Sequence, residues 1–509
     1  MIPKPVVLIV LDGWGLAPAG PGNAVHLAKT PNMDKFWAGY PHTQLKASGK
    51  AVGLPEGEMG SSESGHLTLG AGRIVYQDFS RISLSISNGS FFKNKAFISA
   101  CQQAKSHHSH LHFLGILGYG SIHADKNHLY ALLRLAKEQN LEPNQVKLHL
   151  FTDGRDSPPK SALSLLVELK KVIKEINIGE IVSLSGRYFA MDRDRRWERT
   201  QKAYEALVSG KGEKGISPEK TIEKYYQQNI SDEFIPPTIF SANQIRDNDA
   251  LIFFNFRTDR ARQLTRALIE PNFYGFERKT ILRKIFFVSM TEYEKGLPVA
   301  AVAFPPRKIE LALPNVLAER NLRQLHLAET EKYAFVTYYF NGLYEKPVVG
   351  EKRILIPSPK IATYDLKPEM SAYEITNILL KKIKLKIYDF ILVNFANPDM
   401  VGHTGNLKAG IKACEVVDEC LGKIVKLVSA NNGVSLIVAD HGNIEEMIDL
   451  KTKKVSTRHS LNPVPFILVG KKWQTKPTVL PTGTLVNVAP TILKIMNIPK
   501  PEVMTGEAL

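Results

Sequence analysis

Asp399 and His403 lie in Asn397-Pro398-Asp399-Met400-Val401-Gly402-His403, and an acid and an imidazole stand side by side in Asp440-His441-Gly442-Asn443. His459 follows in Thr457-Arg458-His459-Ser460, and Asp12 precedes them all. A mixed oxygen and nitrogen donor set without thiolates suits manganese or zinc better than calcium, and sites for phosphate chemistry commonly hold two ions. One such histidine alone is ordinary structure. The joint pattern is not, because buried carboxylates are costly unless paired or metal-bound. A second group is cationic: Arg155, beside Asp156, then Arg187, Arg257 and Arg260. Guanidinium binds phosphate and carboxylate bidentately, so these residues suit an anionic ligand.

The elements that must position both groups are short apolar, β-rich runs at 6–11, 111–117, 146–151, 181–184, 251–256, 285–289, 334–340, 390–395, 435–439 and 465–469, alternating with longer helical patterns. That alternation predicts an α/β fold with mainly parallel sheets. Open sheets of this kind place ligands at the carboxyl ends of their strands. Asp12, Asp399, Asp440 and His441 all follow predicted strands, and so do Arg155, Asp156, Arg187, Arg257 and Arg260. Metal-type residues thus occupy both ends of the chain and arginines its middle. The simplest topology is a metal-binding domain, 1–77 with 311–509, into which 78–310 is inserted; Pro305-Pro306-Arg307 is a candidate hinge.

The bulk numbers fit this division. A chain of 509 residues exceeds what one core usually organises, and 44% hydrophobic with 23% charged residues is ordinary globular usage. Cys101, Cys414 and Cys420 make no even disulfide framework and no Cys-x-x-Cys pair; a reducing compartment fits, with Cys414 and Cys420 as core fillers on a helix carrying Ile411, Val417, Leu421, Ile424 and Val428. The run 6–11 stops at Asp12 without a cleavage site and reads as a buried strand, and no apolar stretch approaches the ~20 residues of a membrane helix. A soluble, cytoplasmic protein is expected. The formal charge of +16 admits nucleic-acid binding or attraction of anionic metabolites. Its densest cluster, Lys381-Lys382-Ile383-Lys384-Leu385-Lys386, reads as a solvated face, since no aromatic interleaving accompanies it. His107, His108, His110 and His112 read as a polar loop entering a strand, because no acidic residues accompany them.

The loop Gly53-Leu54-Pro55-Glu56-Gly57-Glu58-Met59-Gly60-Ser61-Ser62-Glu63-Ser64-Gly65-His66 offers hydroxyls among glycines, which turns alone would explain. Taken with Leu11-Asp12-Gly13-Trp14-Gly15, Gly186-Arg187-Tyr188, Met191-Asp192-Arg193-Asp194 and Phe254-Asn255-Phe256-Arg257, however, it resembles cofactor-independent phosphoglycerate mutase. Ala328-Glu329-Thr330-Glu331-Lys332-Tyr333, Ser358-Pro359-Lys360, Pro368-Glu369-Met370-Ser371 and the Asp399 and Asp440 motifs extend the resemblance along essentially the whole chain. The resemblance implies an alkaline-phosphatase-like metal domain with a smaller transferase domain inserted after the nucleophile loop. It places Ser62 as nucleophile, Asp12, Ser62, Asp440 and His441 on one manganese, and Asp399, His403 and His459 on the other, two ions per chain. His123, Arg155, Asp156, Arg187, Arg193, Arg257, Arg260 and Lys332 match substrate-binding positions. Four places depart from the family pattern: Ser61 where Asn is common, Gly118-Tyr119-Gly120-Ser121-Ile122-His123 in place of a Ser-Asp-Gly-Gly-Val-His run, Phe335 for a usual His, and Arg458 before His459.

The implied reaction is interconversion of 3-phosphoglycerate and 2-phosphoglycerate through a phosphorylated Ser62, with Lys332 offsetting charge on the bridging oxygen and His123 or Asp156 handling the glycerate hydroxyl proton. A serine hydroxyl is a poor nucleophile at neutral pH, and a divalent cation lowers the pKa of a bound hydroxyl. Water must be excluded while phosphoserine exists, and closure about linkers near 76–79 and 305–307 is the expected means. The chain is expected to act as a monomer on a small-molecule substrate, without nucleic acid or membrane. Two rivals are a metal-dependent phosphohydrolase of the same superfamily and a basic nucleic-acid-binding protein; the latter leaves Asp12, Asp399 and Asp440 without purpose.

Overall fold

Among the described residues, two eight-stranded sheets, each mostly parallel, organise the chain. The computed structural model describes residues 3–119, 122–449, 452–474 and 478–509, so Gly120 and Ser121 of the run before His123 lie outside the described residues. The chain divides into two compact units: Met1–Gln77 with Lys308–Leu509, and Asp78–Arg307.

In the discontinuous unit the strand order is Glu351–Ile356, Gln324–Glu329, Phe390–Phe395, Val6–Leu11, Val434–Val438, Val464–Val469, His42–Lys46 and Gly483–Thr484. Val6–Leu11 is its centre, parallel to Phe390–Phe395 on one side and to Val434–Val438 on the other. All six of its side chains are buried, and full burial of each Val, Leu or Ile contributes roughly 1.5–3 kcal/mol. That is why an unbroken aliphatic run, rather than an alternating one, marks this strand. Helix Leu407–Ala430 packs on the sheet through Ala413, Cys414, Val417, Leu421, Ile424 and Val428. Burial raises the Cys420 thiol to about 11, so it is an inert core group.

The inserted unit orders Ala301–Phe304, Phe286–Thr291, Ala250–Phe253, Leu111–Leu117, Val146–Thr152, Glu180–Gly186, Thr238–Ile239 and Glu213–Lys214, parallel except where Glu180–Gly186 meets Thr238–Ile239. Burial pushes its one cysteine, Cys101, up to about 12. Lys381, Lys382 and Lys384 cluster in the last turn of helix Ala372–Lys384, where cations complement the helix dipole. No helix among the described residues is long and apolar enough to cross a membrane.

Two expectations need correction. The run 334–340 is not a strand: Phe335–Tyr339 forms a π-helix. Lys332, Val336 and Phe340 are buried at a spacing of four, and Thr337 Oγ1 donates to the Tyr333 carbonyl at 2.7 Å, a helical bond. A short aromatic and β-branched run is ambiguous by periodicity, and here packing chose the helix. The strand that does occupy this part of the chain, Gln324–Glu329, went unassigned because Gln324, His326 and Glu329 break its apolar pattern although every residue in it is buried. Secondly, the histidines near 110 do have an acidic companion. The register pairing Leu111 with Ala250 brings Asp249 beside His110 and His112, across 137 residues of sequence in the latter case.

Candidate active site

In the discontinuous unit the carboxyl ends of the central parallel strands carry the polar groups. Asp12 directly follows Val6–Leu11; Asp399 lies in the short helix Asn397–Gly402 after Phe390–Phe395; Asp440 and His441 follow Val434–Val438; and Lys332 lies in the turn after Gln324–Glu329. Gly13, at φ +75°, turns the chain away from the first strand where a Cβ would meet the Asp399 backbone at 2.7 Å. Ser62 is the first residue of helix Ser62–Ala71, whose N-cap is Ser61. Ser61 Oγ accepts from Ser64 N and Ser61 N donates to Ser64 Oγ, a reciprocal cap that serine supplies where the family commonly has asparagine.

Ser62 Oγ has three polar neighbours: Lys332 Nζ at 2.7 Å, His441 Nε2 at 3.1 Å and Asp12 Oδ1 at 3.2 Å. Lys332 Nζ also donates to Asp12 Oδ1 at 2.7 Å and Asp399 Oδ2 at 2.6 Å. Burial alone would discharge this lysine, but the carboxylates of Asp12, Asp399 and Asp440 outweigh it and hold the pKa well above the ordinary value. The same contest runs the other way for Asp12 and Asp399: burial opposes ionisation and Lys332 overcomes it, keeping both acids below the usual carboxylate range. His441, likewise buried, is raised to about 10 by Asp440, Asp12 and Asp399.

The second group is Asp399, His403 and His459. His403 Nδ1 donates to the Thr457 carbonyl and His459 Nδ1 to that of Gly60, each at 2.7 Å. Carbonyls only accept, so Nε2 bears the lone pair in the tautomer that this bonding sets, while the hydrogen bond with Asp399 raises the His403 pKa. Those two Nε2 atoms lie 3.1 Å apart and each 3.2 Å from Asp399 Oδ1. Three electron-rich atoms aimed at one another are repulsive unless a cation or proton lies among them, and two backbone-oriented imidazoles with a carboxylate are a ligand set for a divalent metal. Around Ser62 the donor set fits equally: Asp12, Asp399 and His441 converge, as do Asp12, Asp440 and His66, and buried Asp440 Oδ2 makes no hydrogen bond among the described residues, with His66 Nδ1 3.2 Å away.

Sequence reasoning missed the residues that hold these donors. Asn394 Nδ2 donates to Asp12 Oδ2 at 2.7 Å and lies 3.0 Å from His66 Nε2, while His66 Nδ1 faces the Ser62 carbonyl and Asp440 Oδ2. Asn443 Nδ2 donates to Asp399 Oδ1 at 2.7 Å. Glu445 accepts from Gly15 N and Asn443 N, joining two of the loops. A signal existed for Asn394, a lone amide in an apolar strand, and for His66, one helical turn beyond Ser62. Phe335, in place of the family's usual His, lays its ring 5.3 Å from Lys332 Nζ and stacks on Tyr339. Arg458 is exposed.

The inserted unit gathers the other candidates at the carboxyl ends of its strands. Arg187 is buried; Nη1 donates to Asp153 Oδ1 at 2.6 Å and to Asp156 Oδ2, and Nη2 lies 3.0 Å from His123 Nε2. Burial and then the Arg187 charge push His123 down to about 4, so its ring is neutral and its Nε2 accepts from Arg187. The remaining His123 Nδ1–H is buried without a hydrogen-bond partner among the described residues. Arg193 and Arg257 share Asp259, at 2.7 and 3.2 Å. Arg260 donates to the Met191 carbonyl, and burial followed by the charges of Arg187, Arg193 and Arg155 lowers its pKa. Mutual repulsion of that kind marks a converging cationic cluster, which an anion relieves. Arg155, half-exposed, sits 3.6 Å from Glu233. Asp153 and Asp259, which orient the guanidinia, were not foreseen, though Asp153 also follows a predicted strand. Tyr119 N donates to Ser157 Oγ, and its hydroxyl meets Ser164 Oγ at 3.0 Å.

A family model for the metalloenzyme superfamily matches residues 4–500. A 2,3-bisphosphoglycerate-independent phosphoglycerate mutase from Clostridium perfringens is 50% identical over 514 residues, covering 100% of this chain and 99% of that protein. The chain belongs to the 2,3-bisphosphoglycerate-independent phosphoglycerate mutase family. A mutase of the same description from Chloroflexus aggregans is also 50% identical, over 535 residues that cover 100% of this chain and 98% of its own. Among solved structures, phosphoglycerate mutase of Leishmania mexicana, crystallised at low cobalt concentration, matches with a TM-score of 0.65 and 31% identity over 99% of this chain and 97% of that one.

Proposed function

We propose that this member of the family interconverts 3-phosphoglycerate and 2-phosphoglycerate through a phosphoserine at Ser62. The observation that carries the reading is Ser62 Oγ at a helix N-terminus, within 2.7 Å of a charged, buried Lys332 and beside Asp12 and His441. In the first half-reaction the bond from phosphorus to the O3 oxygen breaks as one to Ser62 Oγ forms; Ser62 Oγ gives up its proton and O3 takes one. In the second, O2 of the same glycerate loses its proton and bonds phosphorus as the bond to Ser62 Oγ breaks, and Ser62 Oγ recovers a proton. Lys332 hydrogen-bonds the bridging Oγ and offsets the charge that collects there.

Arg155, Arg187, Arg193, Arg257 and Arg260 bind the carboxylate and phosphate of the substrate. Asp156 handles the hydroxyl proton. His123 is assigned to donation, since its Nε2 is taken by Arg187 and its free atom is Nδ1–H. Asp12, Ser62, Asp440 and His441 would hold one divalent ion and Asp399, His403 and His459 another, with manganese the assigned metal. When bound, the two ions supply charge stabilisation and acidify the serine hydroxyl. The chain works as a monomer in the cytoplasm, and domains 1–77 with 311–509 and 78–310 are assigned phosphoryl transfer and substrate binding respectively.

The test is to strip metal, restore manganese, supply 3-phosphoglycerate without bisphosphoglycerate, and follow 2-phosphoglycerate and free phosphate by phosphorus NMR. Manganese-dependent 2-phosphoglycerate is expected, with Ser62→Ala lowering the rate on the order of 10⁴-fold or more and removing the phosphoenzyme from intact-mass spectra. Free phosphate without isomer would make the chain a phosphohydrolase, and no reaction under any divalent metal would sink both readings.

A further inference from the structure

The histidine group at the other end of the inserted sheet is unused by the proposed reaction. His110 and His112 flank Leu111 at the start of Leu111–Leu117 and so project to one side of that strand. Asp249 immediately precedes the neighbouring strand Ala250–Phe253, in register with His110. One ligand atom from each of His110, His112 and Asp249 lies within 4.8 Å of the others. On a tetrahedral ion with bonds of about 2.0–2.1 Å, neighbouring ligand atoms stand ~3.3 Å apart. His112 Nε2 and Asp249 Oδ2 are already at 3.0 Å, so only His110 has to move, and its ring is half-exposed with no hydrogen-bond partner among the described residues.

The surroundings are those of an oriented metal ligand. His112 Nδ1 lies 2.9 Å from His149 Nε2, and His149 Nδ1 lies 2.7 Å from Ser183 Oγ. A ligating histidine usually has such a partner on its other nitrogen. Asp249 is fixed by backbone donors, His110 N to Oδ1 at 3.0 Å and Arg246 N to Oδ2 at 2.7 Å, and stays ionised. Burial lowers the pKa of His110, His112 and His149. Two cations stand near. Lys147 is neutralised by Glu180, and the Arg246 side chain is exposed and screened by solvent.

We infer that His110, His112 and Asp249 form a second, non-catalytic binding site for a divalent cation of the zinc class, separate from the centre around Ser62. Two imidazoles and one carboxylate suit zinc, cobalt or nickel better than calcium or magnesium. In the unliganded arrangement His112 Nε2–H donates to Asp249, His149 Nε2–H donates to His112 Nδ1, and the Ser183 hydroxyl donates to His149 Nδ1. With a cation on His112 Nε2 the chain reverses: His112 Nδ1–H donates to His149 Nε2, and His149 Nδ1–H donates to Ser183 Oγ. The proton lost at His112 Nε2 is matched by one gained at His149 Nδ1, both rings remain neutral, and Ser183 keeps its own proton.

Metal-stripped full-length protein and its His110→Ala variant would be titrated with zinc by equilibrium dialysis, and with cobalt while recording visible spectra. Wild type is expected to bind one more equivalent of zinc per chain than the variant. The wild-type minus variant cobalt spectrum should show the intense visible bands of a low-symmetry four-coordinate ion. Mutase activity restored by manganese should be the same in both, because His110 has no part in the proposed reaction, and its partial exposure makes the variant safe for folding. Equal zinc stoichiometry with a flat cobalt difference spectrum would overturn the proposal and leave the His112, His149 and Ser183 chain as a structural hydrogen-bond network. Asp249→Asn, which keeps the backbone cap acceptor at Oδ1 but removes the charge, should weaken zinc at this site at least tenfold; unchanged affinity would count equally against it.

Discussion

Around Ser62, the carboxylates of Asp12, Asp399 and Asp440 are buried with a single ammonium, Lys332, at their centre. In the inserted unit the arrangement is inverted: five arginines, Arg155, Arg187, Arg193, Arg257 and Arg260, outnumber the four acids they gather around, Asp153, Asp156, Glu233 and Asp259, and Arg155, Arg193 and Arg257 have about half of their side chains exposed. The first region concentrates negative charge with too few protein cations to balance it, which is the condition for holding divalent metal. The second concentrates positive charge, the condition for holding an organic anion. Rigidity follows the same line. Buried charges are locked by desolvation, whereas exposed guanidinia are exchanged between partners at little cost. On the proposed reading, the reacting oxygen sits in the region of locked, buried charge, and substrate selection sits where side chains adapt.

Lys332→Met probes the locked region most severely. Removing the ammonium that donates to Ser62 Oγ should lower kcat on the order of 10³-fold with little change in KM, and steady-state kinetics with saturating manganese reads the split. A fall in kcat/KM carried by KM instead would mean that Lys332 binds substrate and that the contrast between the regions is drawn in the wrong place.

Glu329 sharpens the comparison at the edge of the same region. Burial raises its pKa to about 7 from an ordinary 4.5, and its Oε1 has no hydrogen-bond partner among the described residues. The folded state thus binds a proton that the unfolded state has already released, so this residue makes stability fall as pH rises from about 4.5 to about 7, and the loss persists above 7. Glu329→Gln keeps an acceptor for Ser358 Oγ and removes the titration. Denaturant unfolding should show the variant gaining on wild type across that window, by about 2–3 kcal/mol at its alkaline end. A constant difference across the window would show that Glu329 is already ionised when folded.

The smallest effect is expected at the adaptable region. Arg257→Lys preserves charge but loses the bidentate fork, so KM for 3-phosphoglycerate should rise about tenfold while kcat and manganese affinity hold. Isothermal titration with manganese together with initial rates would check this, and a large kcat defect would place Arg257 at the reacting phosphoryl group.

The motifs Asp399 to His403 and Asp440-His441 were legible because polar residues at strand ends interrupt long aliphatic runs such as Val6–Leu11, whose burial on both faces leaves no other reading. The family followed from motif order along the chain. Residues that act through others were not legible: Asn394, His66, Asp153 and Asp259 are common residue types, and only their distances to Asp12, Asp440, Arg187 and Arg193 give them a role. The run 334–340, which reads as a strand, contains the π-helix Phe335–Tyr339, because six apolar or aromatic residues around Thr337 satisfy either periodicity until a core chooses between them.

By itself, then, the sequence determined the alternating elements, the donor types and their placement at strand ends, since local chemistry and hydrophobic period are properties of the chain alone. Tertiary structure decided which donors meet. His403 and His459 face one carboxylate across 56 residues of sequence, and His112 meets Asp249 across 137. Such pairings are set by sheet register and packing, which act between segments and leave no mark in either one.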